Sequence, residues 1–174
     1  MAKATLITGG CRSGKSRHSL SLAREVVGDK MYLATAEALD AEMKERIARH
    51  QLERGKDWET IEEPVEVLRV LQDLENRSGV LVLDCLTLWI SNRMHHGDNR
   101  EELVQEAGRL AGQIGRMRCE LIVITNEVGA GIVPENKLAR DFRDLAGEIN
   151  QRFAEHCDQV IHMVSGIPVV LKSV

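Results

Sequence analysis

The chain has 174 residues, of which 43% are apolar and 29% charged, which suits one soluble α/β-sized globular domain spanning 1–174 with a sizeable core. Its formal net charge of −4 argues against a general nucleic-acid binder, so any polyanionic ligand must be met by local basic groups. No apolar stretch approaches the roughly 20 residues that span a bilayer, and no leader is expected ahead of the first strand pattern, so the expectation is a cytoplasmic protein.

In chain order, the apolar run Ala4–Thr8 predicts a buried strand, and it leads straight into Gly9, Gly10, Cys11, Arg12, Ser13, Gly14, Lys15 and Ser16. These eight residues read G-x-x-x-x-G-K-S, with a helical pattern starting near Gly14. A glycine-rich turn lets backbone N–H groups converge on phosphate oxygens, and the helix adds its positive N-terminal end. In such a loop Lys15 reaches the terminal phosphates and the Ser16 hydroxyl ligates Mg²⁺. A nucleotide phosphate site is the expectation.

Further strand-like runs follow at Lys30–Thr35, Trp58–Ile61, Val80–Asp84, Leu121–Thr125, Gln159–Val164 and Val169–Lys172. Several are continuous β-branched or leucine runs, as parallel strands covered on both faces require. Helical patterns lie between them. Pro64 is expected in the first turn of a helix carrying Val65, Leu68, Leu71 and Leu74. Asn99 followed by Glu102 resembles an N-cap arrangement ahead of the stripe Leu103, Ala107, Leu110, Ile114 and Met117. Leu138, Phe142, Leu145, Ile149 and Phe153 form another stripe. The alternation predicts a three-layer α/β fold with a mainly parallel sheet. The four cysteines, Cys11, Cys85, Cys119 and Cys157, are widely spaced and fit reduced thiols better than a disulfide frame or zinc site.

Ligands of such sheets gather at the carboxyl ends of the strands. That rule selects Thr35, Glu62, Asp84 and the pair Asn126-Glu127. Asp84 reads either as an acidic residue helping to hold Mg²⁺ through water or as the N-cap of the next helix. Glu62 reads either as a site residue or as a solvated charge beside Glu63. "DCLT" where D-x-x-G is needed, and "NKLA" where N-K-x-D is needed, argue against a signalling GTPase. A recombinase-like motor lacks support in a short chain with no basic DNA-binding stripe. A small-molecule kinase or nucleotidyltransferase fits better.

Among the histidines, His95 and His96 are expected in a solvated loop, His156 and His162 show no metal-ligand spacing, and His18, in the first turns after the phosphate loop, reads equally as a packing or a functional residue. His50 differs. It continues the helical stripe Leu39, Met43, Ile47 with Arg46, Arg49 and Arg54 around it. Spacing leaves two readings for it: a satisfied core histidine, or a nucleophile whose neutral nitrogen attacks phosphorus while nearby cations stabilise the phosphoryl oxygens.

Taken together, "LITGGCRSGKSRH", "YLATA", "MKERIARHQLERGKDWETIEEP", "LVLDCLTLWISN", "VITNEVGAGIVPENKLARDFRDLAGEINQRFA" and "VSGIPVVLK" resemble the bifunctional adenosylcobinamide kinase / adenosylcobinamide-phosphate guanylyltransferases of cobalamin biosynthesis. The resemblance covers nearly the whole chain in order, and R-I-x-x-H followed by W-x-T-x-E-x-P is its specific part. It implies a RecA-like phosphate-loop NTPase fold, a homotrimer and a corrinoid substrate. It also implies two reactions: phosphorylation of adenosylcobinamide by ATP or GTP, then transfer of GMP from GTP through a histidine to adenosylcobinamide phosphate. The family histidine falls on His50, and with Lys15 it makes the implied catalytic pair. The nucleotide contacts fall on Gly9–Ser16, Ala34, Thr35, Ala36, Gln51, Leu52, Glu53, Arg54, Glu62 and Asp84, with Ser16 and Asp84 toward Mg²⁺. Cys11 stands where the family often has alanine, and "EVGAGIVPEN" is expected to line the corrinoid side of the cleft or to move over it. Two alternatives stand beside this reading: a kinase with His50 idle, and a nucleotide-binding regulatory module with little or no turnover.

Overall fold

Continuous apolar runs place strands in the middle of a sheet, where both faces are covered. The computed structural model describes residues 2–38, 41–55 and 57–174, with the side chains of Glu42, Arg46, Arg49 and Glu53 outside that description. Its strands are β1 (Ala4–Gly9), β2 (Lys30–Ala34), β3 (Trp58–Glu62), β4 (Val80–Asp84), β5 (Glu120–Ile124), β6 (Gln159–Val164) and β7 (Ile167–Ser173). The helices are α1 (Lys15–Glu25), α2 (Ala41–Arg54), α3 (Val67–Asp73), α4 (Leu86–His95), α5 (Arg100–Gln113) and α6 (Lys137–His156). The strands form one seven-stranded sheet in the order β3-β2-β4-β5-β1-β6-β7. Among the described residues only β7 is antiparallel, returning along β6.

Alternate side chains of each strand sort to opposite faces. Leu6, Leu33, Leu81, Leu83 and Val123 meet Leu71 of α3, Trp89 of α4, Leu110 of α5 and Phe153 of α6 in the larger core. Ile7, Tyr32, Val82, Ile122 and Ile124 point the other way and meet Leu20 and Ala23 of α1. The expected three layers are present. No helix among the described residues is long and apolar enough to cross a membrane.

Three expected helix boundaries differ from the structure, the first at α5, which ends at Gln113 ahead of Ile114 and Met117 of the expected stripe. Pro64 precedes α3 instead of opening it, and Val65 lies outside the helix. The Glu63 carboxylate accepts from the Val65 and Glu66 amides, while α4 takes the Pro64 and Val65 carbonyls through Asn92 and Trp89, so this segment is held as a turn. His95 closes α4 and His96 caps it in helical conformation, rather than lying in a loop; both are exposed, as expected. Gly97, at φ 98°, ends the helix there. The α6 stripe is buried at Leu145, Ile149 and Phe153, but Leu138 in its first turn is 63% exposed.

The N-cap read at Asn99 is a full capping box: its side chain accepts from the Glu102 amide at 3.0 Å, and Glu102 accepts from the Asn99 amide at 2.9 Å. Asn99→Ala is expected to lower stability by about 1 kcal/mol, read as a shifted urea midpoint with unchanged slope.

Candidate active site

Gly9, Ala34, Glu62 and Asp84 are each the last residue of their strand. The register sets Ala34 beside both Asp84 and Glu62, so these strand ends share one edge of the sheet. β1 lies between β5 and β6, and its connection through α1 crosses to β2 while α6 carries the chain to β6 on the other side. That reversal of direction is where ligands of open α/β sheets bind.

The loop after β1 is shaped by glycine. Gly9 sits at φ 152°, and a Cβ there would stand 2.7 Å from both the Met163 carbonyl oxygen and Ser13 Oγ. Gly14, at φ 97°, occupies the N-cap of α1 in left-handed conformation and supplies no side-chain cap. The α1 N-terminus therefore keeps its first amides and its positive end for a ligand. The Gly166 amide donates to the Ser13 carbonyl at 2.9 Å and the Glu127 amide to the Gly9 carbonyl at 3.0 Å, bracing the loop from the β6–β7 turn and from the segment after β5. Lys15, only 8% exposed, donates to the Gly9 and Gly10 carbonyls at 3.0 and 2.7 Å. Ser13 Oγ is buried with no hydrogen-bond partner among the described residues. An unsatisfied buried hydroxyl beside a lysine and a helix N-terminus suits a phosphate oxygen. Cys11 and Arg12 are exposed at the outer turn.

Asp84 does not cap the next helix. Cys85 is the N-cap of α4, and no side chain caps it. Instead Asp84 Oδ2 accepts from Ser16 Oγ at 3.2 Å and from the Tyr32 hydroxyl at 2.5 Å. Burial, and then the Asp84 charge, push the Tyr32 hydroxyl above its ordinary pKa, so it stays the donor. Burial likewise pushes the Cys85 thiol up to about 11, which makes it an inert packing group. The Ser16 hydroxyl and the Asp84 carboxylate are hard oxygen donors within hydrogen-bond reach of each other, a donor set that fits Mg²⁺ shared with substrate phosphates. Among the described residues no cluster of three His, Cys, Asp or Glu side chains could hold a metal without substrate.

Thr35 is wholly buried and latches two strand ends: its hydroxyl donates to the Cys85 carbonyl and accepts from the Cys85 amide, both at 2.8 Å. Its side chain is thus committed to structure, beside the half-buried Ala34 and Ala36. Asn126 is fixed through two donations to Thr87 Oγ1, and Glu127 accepts from the Gly129 amide at 2.6 Å. These bonds set the glycine-rich segment beside the phosphate loop.

On α2, Met43, Ile47 and His50 are half-buried, whereas Leu39 of the expected stripe lies outside the described residues. The Arg46 and Arg49 side chains, and that of the expected contact Glu53, also lie outside them. His50 shares a helical face with Arg54, four residues on. Arg54 is 8% exposed, with its guanidinium carbon 3.7 Å over the Tyr32 ring, and Trp58 meets the same ring edge-on at 6.0 Å. Gln51 donates to Glu62 at 3.2 Å, and Leu52 is 83% exposed. The structure therefore joins Ser16, Asp84, Tyr32 and Arg54 in one chain of contacts, and Gln51 with Glu62 in another. Among the described residues no hydrogen bond ties His50 to the phosphate loop. Tyr32 was missed by sequence reasoning, although the chain's single tyrosine in a buried strand must find a hydroxyl partner.

A family model described as cobinamide kinase / cobinamide phosphate guanyltransferase matches residues 5–171. The chain is 40% identical over 173 residues to the bifunctional adenosylcobalamin biosynthesis protein CobP of Pseudomonas aeruginosa, covering 96% of each. It is 40% identical over 184 residues to the CobU protein of Salmonella typhimurium, covering 96% of this chain and 98% of that one. Among solved structures, a Pyrococcus horikoshii protein aligns over 99% of this chain and 87% of its own at a TM-score of 0.59 and 11% identity. The RadB recombinase aligns over 92% and 73% at a TM-score of 0.52 and 18% identity. These last two speak for the fold, a RecA-like phosphate-loop architecture. With a matching family model over nearly its full length, and the phosphate loop, acidic strand end and histidine helix in place, the chain belongs to the cobinamide kinase / cobinamide phosphate guanyltransferase family.

Proposed function

We propose that one domain, residues 1–174, carries out two transfers in adenosylcobalamin biosynthesis. In the first, the hydroxyl oxygen of adenosylcobinamide attacks the terminal phosphorus of ATP or GTP; the O–P bond forms as the bond to the β–γ bridging oxygen breaks, ADP or GDP leaves, and the hydroxyl proton passes to water. In the second, a His50 ring nitrogen attacks the α-phosphorus of GTP; the N–P bond forms as the bond to the bridging oxygen breaks, and pyrophosphate leaves. A phosphate oxygen of adenosylcobinamide phosphate then attacks the same phosphorus, the N–P bond breaks, and adenosyl-GDP-cobinamide is released. The observation that carries this reading is the placement of the R-I-x-x-H histidine on a helix whose end, at Arg54, packs onto the Tyr32–Asp84 pair at the phosphate site.

The position of each residue supports the task proposed for it. The amides opening α1 and the Ser13 hydroxyl grip phosphate oxygens, and Lys15 moves from the Gly9 and Gly10 carbonyls to the phosphates. Ser16 and Asp84 would hold Mg²⁺, which would supply charge neutralisation to the phosphates. Gln51, Leu52, Glu53, Arg54 and Glu62 are proposed to border the nucleotide, as are Ala34, Thr35 and Ala36. A homotrimer is also proposed; exposed Ile167, Val170 and Leu171 on the edge strand β7 support it as surface available for burial. Sedimentation equilibrium tests it, and a mass equal to the 19.4 kDa of one chain rejects it.

The experiment for the chemistry uses GTP labelled at the α- or the γ-phosphate, with Mg²⁺, followed by denaturation. Acid-labile, base-stable label retained from the α-position alone is expected for a guanylyl-histidine. A protein that binds GTP and phosphorylates adenosylcobinamide but retains no α-label is a kinase only.

A further inference from the structure

One aromatic ring stands between the two halves of this site. Tyr32 lies at the middle of β2, 3% exposed, with its hydroxyl on Asp84 Oδ2 at 2.5 Å. The same carboxylate oxygen accepts from Ser16 Oγ, the first-turn residue of α1. On the ring's face lies the guanidinium of Arg54, the last residue of the helix that carries His50. Arg54 Nε is buried and has no hydrogen-bond partner among the described residues, so the stack on the ring holds it without satisfying that atom. Trp58 fixes the ring from its edge.

We propose that Tyr32 is a positioning residue for both transfers: its hydroxyl aims the Asp84 carboxylate, and its ring face seats the C-terminal end of the nucleophile's helix through Arg54. A carboxylate that accepts a short bond from a rigid phenol on one oxygen is held in one orientation, which sets the direction of the other oxygen more tightly than a bond to a mobile hydroxyl alone. A cation over an aromatic face, away from water, gives the helix end a defined seat that remains open to exchange for a nucleotide oxygen. The inference rests on the reading of Asp84 as the carboxylate on the metal side.

The test measures binding of guanosine 5′-(α,β-methylene)triphosphate, whose α–β bridge the proposed guanylyl transfer cannot break, by calorimetry, with Mg²⁺ and with EDTA, to the intact protein. The quantity is the ratio of the two dissociation constants. Asp84→Asn is expected to remove most of the Mg²⁺-dependent gain, and Tyr32→Phe, which keeps the ring, to reduce it by about tenfold, the worth of one hydrogen bond to a charged group. Tyr32→Leu, which also removes the seat, is expected to slow labelling of His50 by α-labelled GTP beyond the effect of Tyr32→Phe. A wild-type ratio in Tyr32→Phe, with the gain lost in Asp84→Asn, overturns the proposal alone. Equal weakening with and without Mg²⁺ makes the tyrosine merely structural and overturns it too. A wild-type ratio in Asp84→Asn overturns the metal-side reading beneath it. Equal labelling rates in Tyr32→Phe and Tyr32→Leu remove the seat from the proposal.

Discussion

Replacing His50 with alanine is expected to lower guanylyl transfer by about three orders of magnitude or more, while phosphorylation of adenosylcobinamide stays within a few-fold of the parent. The asymmetry follows from the chemistry. In the kinase step the acceptor's own hydroxyl is the nucleophile, so the loop, Lys15 and the site's carboxylate suffice. The proposed second step forms its covalent intermediate on a nitrogen that alanine lacks. Little stability should be lost, because His50 is only half-buried and alanine favours a helix interior. Single-turnover reactions with α- and γ-labelled GTP, run beside a thermal melt, measure the two arms. Equal loss of both reactions at an unchanged melting temperature would show that His50 serves the nucleotide site generally and is no private nucleophile.

How far the sequence carried this result depends on the kind of constraint. The strands were visible because buried parallel strands need unbroken apolar runs, and Val80 to Leu83 provide one with every residue fully buried. Strand order was not visible, since a run of valines does not record which side of the sheet its crossover takes. At Pro64 the helix preference of the segment loses to tertiary hydrogen bonds from Trp89 and Asn92, which no local pattern contains. At the site, the phosphate loop and Asp84 were readable because motif and strand end are local features. That Asp84 caps no helix and meets Ser16 instead is a contact 68 residues apart in the chain, which no local pattern contains. Tyr32 escaped for the same reason. Its partners Asp84 and Arg54 come from different elements, and only the folded sheet brings them to one ring.

Lys15→Ala is the complementary substitution, expected to lower both transfers by about a hundredfold to a thousandfold. The lysine is placed to follow phosphate charge whichever phosphorus reacts, so the two reactions should fall together. The loop itself should survive. Gly9's carbonyl also accepts from the Glu127 amide, and Gly10's from the Ser13 amide, so neither acceptor is orphaned when the ammonium goes. The stability cost is then about 2 kcal/mol, two hydrogen bonds from a charged donor partly offset by the ammonium desolvation that alanine avoids. Lys15→Arg should restore little. Lys15 is 8% exposed and reaches two carbonyls of the same tight turn, which leaves no room for a planar fork in place of a compact ammonium. Steady-state rates for each half-reaction, with unfolding followed in urea, decide the matter. If one transfer falls and the other persists, the protein must hold its two nucleotides at separate sites, and the single phosphate loop after β1 cannot serve both.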